Sequence, residues 1–265
     1  MKKSIFVVDA FVTDRPFSGN PAGVCVLPEW PSDQWMQQVS TEMKHSETAF
    51  VVEDGAAFHI RYFTPVTEIA LCGHATLASA FILWEEGIVP QHEAIVFHAR
   101  GGTLKVKKEK ESIQMDFPTF SFQEMKNLDH AIVNALSVKP LSVFKSENDI
   151  IFELESEQEI KLYKPDFSLM QNLPYRMIIL TARSENSDFD FVSRVFAPTA
   201  GIDEDPATGI AQCILGPLWA EKYAIQGLKA YQASSRGAEF CILVKGNRVQ
   251  LLGQAKLILK GLLYV

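Results

Sequence analysis

Short apolar blocks, separated by charged or glycine-containing turns, set the pattern along most of this chain. Ile5-Phe6-Val7-Val8-Asp9 reads as a first strand. Ile95 to Phe97, Leu104 to Val106 and Ile113 to Phe117 read as further strands, divided by Gly101-Gly102 and by the charged turn Lys107 to Glu111. Ile150 to Leu154, Met177 to Thr181, Phe240 to Val244, Val249 to Leu252 and Leu257 to Leu259 continue the series. Helical spacing is rarer. Pro31-Ser32 opens one helix with Trp35, Met36, Val39 and Met43 on one face. A second begins near Gly73, with Leu77, Ala80, Phe81 and Trp84 on one face and Gly87 as its stop. A third takes Asp205 as N-cap and Pro206 as its first residue. Gly216-Pro217 should kink or end that helix, because proline lacks a donor and clashes with the preceding turn. Strands outnumber helices, with one main helix per half, so the pattern is α+β and disfavours a doubly wound nucleotide fold.

The chain also repeats itself. Phe58 to Pro65 superposes on Phe191 to Pro198 with an offset of 133 residues, close to half of the 265 present. Extended without a gap, the alignment sets Ile69 on Ile202, Cys72 on Asp205, Leu77 on Ile210 and Ala78 on Ala211. Each copy reads as strand, x-Pro stop, short loop and helix. The organisation expected is residues 1–120 and 121–265, with the final strand free to return to the first half. Phe120 to Lys145, where the pattern is weakest, reads as the crossover.

Composition narrows the function classes. A net charge of −7 without a dense basic face argues against nucleic acid, whose binding rests on clustered cations displacing counterions. No apolar run reaches the ~20 residues of a membrane-spanning helix, and Ile5 to Val8 is too short for a signal peptide. Cys25, Cys72, Cys213 and Cys241 are scattered without a CxxC pair, which points to a reduced, cytoplasmic setting.

The chemistry concentrates at three places. Paired helix starts carry unpaired amides and partial positive charge, suited to a small carboxylate. Cys72-Gly73-His74-Ala75-Thr76 arrives there from one copy and Asp203-Glu204-Asp205-Pro206-Ala207-Thr208-Gly209 from the other. Gly73 and Gly209 let a ligand approach the backbone, or are simply turn residues. Glu47 opens an apolar strand just after the Trp35 helix, either facing a cleft or as a solvated turn glutamate. His74 and Asp205 also have plain readings, as helix caps.

Ser18-Gly19-Asn20-Pro21-Ala22-Gly23-Val24, Ser46-Glu47-Thr48-Ala49-Phe50, Cys72 to Ala78 and Asp203 to Gly209, in that order, resemble the phenazine-biosynthesis isomerase-like (PhzF-like) family of the diaminopimelate epimerase fold. The resemblance implies two pseudo-symmetric α+β halves, each a mostly antiparallel, barrel-like sheet around a central helix, with a cofactor-free and metal-free site between them. It implies a homodimer as well. Carried over by position, Glu47 is the acid/base, His74 and Asp205 are catalytic polar residues, and Asn20, Ser46, Gly73, Thr208 and Gly209 bind substrate. The activity implied is an isomerisation in which Glu47 moves a proton between carbons of a small carboxylate.

Ile210 departs from this pattern, standing where the family usually has a serine, and Leu252 replaces an expected glycine. Three rivals share the residues. One is a two-base racemase or epimerase using Cys72. Another is a metal hydrolase of Glu47, His74 and Asp205, for which no HxxxH or HExxH pair is present. The last is a non-catalytic, small-molecule-binding dimer of the same fold.

Overall fold

The computed structural model describes residues 3–126, 132–133 and 136–265; Met1, Lys2 and the middle of the expected crossover at 120–145 lie outside the described residues. The chain forms two compact units, Met1–Phe117 with Gln250–Val265, and Pro118–Val249.

In the first unit, β1 (Lys3–Ala10) lies antiparallel to β2 (Asn20–Leu27). Helix α1 (Asp33–Met43) carries the chain across to β3 (Glu47–Asp54), parallel to β2. β3 turns back into β4 (Ala57–Phe63), and β4 into the two-residue β5 (Glu68–Ile69), both antiparallel. Helix α2 (Gly73–Glu85) follows, then β6 (Ile95–Ala99), which returns parallel to β4. β7 (Gly102–Glu109) and β8 (Ser112–Pro118) close the unit as antiparallel hairpins.

The second unit repeats this order after the short β9 (Gln123–Glu124). β10 (Ser142–Ser146) is antiparallel to β11 (Asp149–Glu153), and helices α3 (Glu157–Leu162) and α4 (Phe167–Met170) lead to β12 (Met177–Arg183), parallel to β11. β13 (Phe191–Ala197) and β14 (Ile202–Asp205) pair antiparallel in turn. Helix α5 (Gly209–Tyr223) leads to β15 (Gly227–Gln232), parallel to β13, and β16 (Ala238–Lys245) pairs antiparallel with β15. After β17 (Arg248–Gly253), β18 (Ala255–Leu263) pairs antiparallel with β1.

Local chemistry explains most boundaries. Ser32 caps α1 by accepting from the Trp35 amide, and Met36 and Val39 are buried against Phe50 and Phe63. Gly87, at φ +68°, ends α2 as expected. Helix α2 is not one-faced, however: from His74 to Trp84 only Phe81 is not fully buried, because β1, β2 and β3 pack about it. An apolar helix buried on all sides is the centre of a small unit, not its surface. No helix among the described residues is long and apolar enough to cross a membrane.

The second helix start departs from expectation. Helix α5 begins at Gly209 with Thr208 as N-cap, whereas Asp205 ends β14 and Pro206 lies in the connecting turn. The Asp205 carboxylate accepts from the Thr208 hydroxyl at 2.6 Å. Nor does Gly216-Pro217 stop the helix, which runs on to Tyr223. Pro217 cannot bond the Cys213 carbonyl one turn back, and that carbonyl accepts the Phe120 amide at 3.3 Å. Gly216 matters for packing: a Cβ there would lie 2.8 Å from Ile242 Cγ2 on β16.

The register of the repeat shifts along the chain. The offset of 133 holds from Phe58 to Pro65, but a 3₁₀ turn at Pro198–Ala200 lengthens the second copy. Beyond it Ile69 and Asp205 take equivalent pairings, with Tyr62 and Val195. Gly73 therefore corresponds to Gly209, Cys72 to Thr208 and His74 to Ile210, correcting the gapless alignment. Upstream, Thr48 pairs with Phe63 as Ile178 pairs with Phe196, so Glu47 corresponds to Met177.

Candidate active site

Glu47, Cys72 and His74 are brought together inside the first unit. Glu47 is the first residue of β3, paired with Ala22 of the neighbouring β2. Cys72 is the N-cap of α2 and His74 lies in its first turn, directed back over the strand ends. All three are buried, at 6%, 6% and 5% exposure. That excludes the solvated-turn reading of Glu47. His74 does not cap its helix either, since its ring is engaged by Glu47, Cys72 and Asn20.

Glu47 Oε2 lies 3.1 Å from His74 Nε2. It accepts no hydrogen bond among the described residues, so the approach is electrostatic rather than directed. On the ring's other side, Cys72 Sγ is 3.4 Å from Nδ1, and the Asn20 amide donates to Nδ1 at 3.3 Å. The Ser46 hydroxyl in turn donates to Asn20 Oδ1 at 3.4 Å. Asn20 and Ser46 thus orient the imidazole.

Burial alone would pull the His74 ring below its ordinary pKa. The Cys72 sulfur and the Glu47 carboxylate facing it outweigh that effect, and the ring titrates well above the usual histidine value. The Asn20 amide works the other way, since a donor at Nδ1 is satisfied only by the neutral ring. Burial, with the Glu47 charge second, pushes the Cys72 thiol up to about 11, so the sulfur enters the site protonated. The donor atoms of Glu47, Cys72 and His74 lie within 4.8 Å of one another and could also hold a metal ion.

Neither main helix start has a side-chain cap: Cys72 and Thr208 make no capping bond. Of the first amides of α2, that of Ala75 faces the Cys72 sulfur, which leaves those of Gly73 and His74 beside the Glu47–His74 pair. Asp205, Thr208 and Gly209 belong to the second unit. There the Gln232 amide donates to the Asp205 carbonyl at 2.6 Å, and Gln232 Oε1 accepts the Thr208 amide at 2.9 Å. Gln232 is fully buried and frames this turn, and sequence reasoning missed its part. Nothing in its neighbourhood, Tyr231-Gln232-Ala233-Ser234, signals a contact with residues 205–208.

Residues 8–261 match the family described as phenazine biosynthesis-like protein, PhzC-PhzF. An uncharacterized isomerase of Halalkalibacterium halodurans is 44% identical over 261 residues, covering 98% of each chain. The crystal structure of a PhzF-family phenazine biosynthesis protein from Enterococcus faecalis superposes with a TM-score of 0.94 at 38% identity, covering 100% of both chains. A hydroxyproline epimerase from Agrobacterium vitis shares the fold alone, at a TM-score of 0.63 and 9% identity over 98% of this chain and 92% of that one. The fold is the α+β, diaminopimelate epimerase-like one, and the chain belongs to the PhzC-PhzF, phenazine biosynthesis-like family.

Proposed function

We propose that the protein is an isomerase that moves a proton between carbons of a small carboxylate-bearing substrate, with Glu47 as the acid/base. The observation that carries this reading is the Glu47 carboxylate: buried, without a hydrogen bond to Oε2, and 3.1 Å from His74 Nε2. A buried carboxylate oxygen left unbonded is costly to keep, and a substrate proton would satisfy it. The names of the H. halodurans relative and of the E. faecalis structure support an isomerase of this family.

The steps follow from the residue types. Glu47 takes a proton from a carbon next to a conjugated system, and the electron pair of the broken C–H bond enters that system. Protonated Glu47 then returns the proton at another carbon, so the product is an isomer and Glu47 is regenerated. His74 offers an N–H toward the charge that develops, and the uncapped amides of α2 at Gly73 suit the substrate carboxylate. Asn20 and Ser46 hold the ring for this task. Asp205 enters the same reading as a second catalytic polar residue, and Thr208 and Gly209 as binding residues.

The two-base reading is weaker. A second thiol would be expected opposite Cys72, and its counterpart is Thr208. We read the two units as copies of one ancestral half, and a homodimer as the form in solution. Turnover in deuterium oxide tests the chemistry: the substrate should gain deuterium at carbon with the wild type, and Glu47→Gln should lower the rate by about 10²–10⁴-fold. An unchanged rate in Glu47→Gln would overturn the assignment.

A further inference from the structure

We propose that Glu47, Cys72 and His74 also form a binding site for a thiophilic divalent cation of the zinc class, whose occupancy ties up the Glu47 carboxylate and switches the isomerase off. The switching rests on Glu47 being the base; the binding does not.

A buried carboxylate, thiol and imidazole are three donors of different type on two rigid elements, the start of β3 and the first turn of α2. The set is far too soft and too small for calcium or magnesium, which take six or more oxygens, and suits zinc. Around a tetrahedral zinc with bonds of ~2.0–2.3 Å, donors stand roughly 3.3–3.6 Å apart. Here Oε2 and Nε2 are 3.1 Å apart, Sγ and Nε2 are 3.9 Å apart, and the third separation is within 4.8 Å. Side-chain shifts of a few tenths of an ångström bring the first two to the required spacing.

A second observation points to a cation independently. Glu47 Oε2 is inaccessible and accepts no hydrogen bond among the described residues, although it is aimed into the cluster. Its neighbour His74 Nε2, at 3.1 Å, does not hydrogen-bond it, and a metal between the two would bond both. The surroundings also favour Nε2 as the ligating nitrogen, because Asn20 occupies Nδ1 and is steadied by Ser46. With the Asn20 amide turned end for end, Nδ1–H donates to Oδ1 while Nε2 faces the metal. Binding expels two protons to solvent, one from the Cys72 thiol as the metal–sulfur bond forms and one from Nε2 of the charged His74 ring as the metal–nitrogen bond forms. Three protein donors leave the fourth position to water or a ligand.

The test needs no substrate. Titrating the full chain, without a histidine tag, with Co²⁺ should give a thiolate-to-cobalt charge-transfer band saturating at one metal per chain. Competition for Zn²⁺ with a chromophoric chelator gives the affinity. Cys72→Ala should lose the band and weaken Zn²⁺ binding by at least about 100-fold, since even losing a group that merely supports a ligand costs about 10–100-fold. Cys241→Ala, which removes the exposed thiol, should keep both. The wild-type spectrum decides the question even if the Cys72 variant fails to fold. A wild type with no band, or a folded Cys72→Ala chain that binds Zn²⁺ as tightly as the wild type, overturns the proposal. Either result leaves the deuterium test of the isomerase reading untouched.

Discussion

The two units share a framework but not a chemistry. In the first, Arg61 holds Glu68 through two bonds of 2.8 Å, and in the second Arg194 holds Glu204 through bonds of 2.7 and 2.9 Å. These arginines stand at the same place in β4 and β13. The parallel and antiparallel pairings about them follow the same sequence in both units. Yet the positions of Glu47, Cys72 and His74 are filled by Met177, Thr208 and Ile210. The bidentate ion pair occurs in both units, whereas the buried carboxylate, thiol and imidazole occur in the first alone among the described residues. In the second unit Met177 is buried, Ile210 is half-buried, and Gln232 frames the turn at Asp205.

The sharpest way to break this comparison is to exchange its two kinds of position. Glu47→Gln should cost about 10²–10⁴-fold in turnover, while the volume-conserving Met177→Leu at the counterpart position should leave turnover unchanged, both read from steady-state rates. Loss of activity in Met177→Leu would show that the second unit carries chemistry at that position as well.

The shared framework gives the next largest effect. Arg194 is the more buried arginine and also donates to the Ile160 and Tyr163 carbonyls at 3.2 and 2.6 Å. Arg194→Ala leaves Glu204 and those carbonyls unpaired and should cost about 3–5 kcal/mol in denaturant unfolding. Arg61 is more exposed, and its second partner, Asp33, lies at the surface. Arg61→Ala should cost about 1–2 kcal/mol.

The helices give a smaller contrast. Gly216 of α5 corresponds to Ala80 of α2, which is fully buried and accommodated. Gly216→Ala must push Ile242 aside and should cost about 1–3 kcal/mol, whereas Ala80→Gly should lose about 1 kcal/mol through helix propensity. Equal effects from the two changes would mean that the helices pack alike.

The smallest effect is acid sensitivity in the first unit. The hydrogen bond from Arg61, with its charge, holds the Glu68 carboxyl below the usual glutamate range. A depressed carboxyl pKa contributes stability that is complete above the unfolded value, near 4.3, and is lost as pH falls through the folded value. Thermal melts from pH 7 to pH 3 should therefore fall less steeply for Glu68→Gln than for the wild type.

Much of this was legible in the sequence, and the exceptions have physical causes. The strands at Phe58 and Phe191, the helix at Ser32 and the grouping of Glu47 with His74 came from local pattern or motif, and local chemistry decides those features. Pro21 and Gly23 hide β2 in the pattern of apolar residues. Pro21 sits at the second residue of the strand, and Gly23 has no room for a side chain, since a Cβ would lie 2.8 Å from Thr48 Oγ1. Asp-Pro is a strong helix opening and sets the expected start of α5 too early, because Thr208 and Gln232 hold residues 205–208 in a turn. The passage of the helix through Pro217 depends on the amide of Phe120, far away along the chain. Contacts that are long in sequence leave no mark in a local pattern.

The most direct test of the central claim is carbon-bound deuterium in a small unsaturated carboxylate turned over in deuterium oxide, followed by mass spectrometry for the wild type, Glu47→Gln and Met177→Leu side by side. The account predicts deuterium uptake in the wild type and Met177→Leu and a fall of at least about 100-fold in Glu47→Gln. Uptake by Glu47→Gln at the wild-type rate would contradict it.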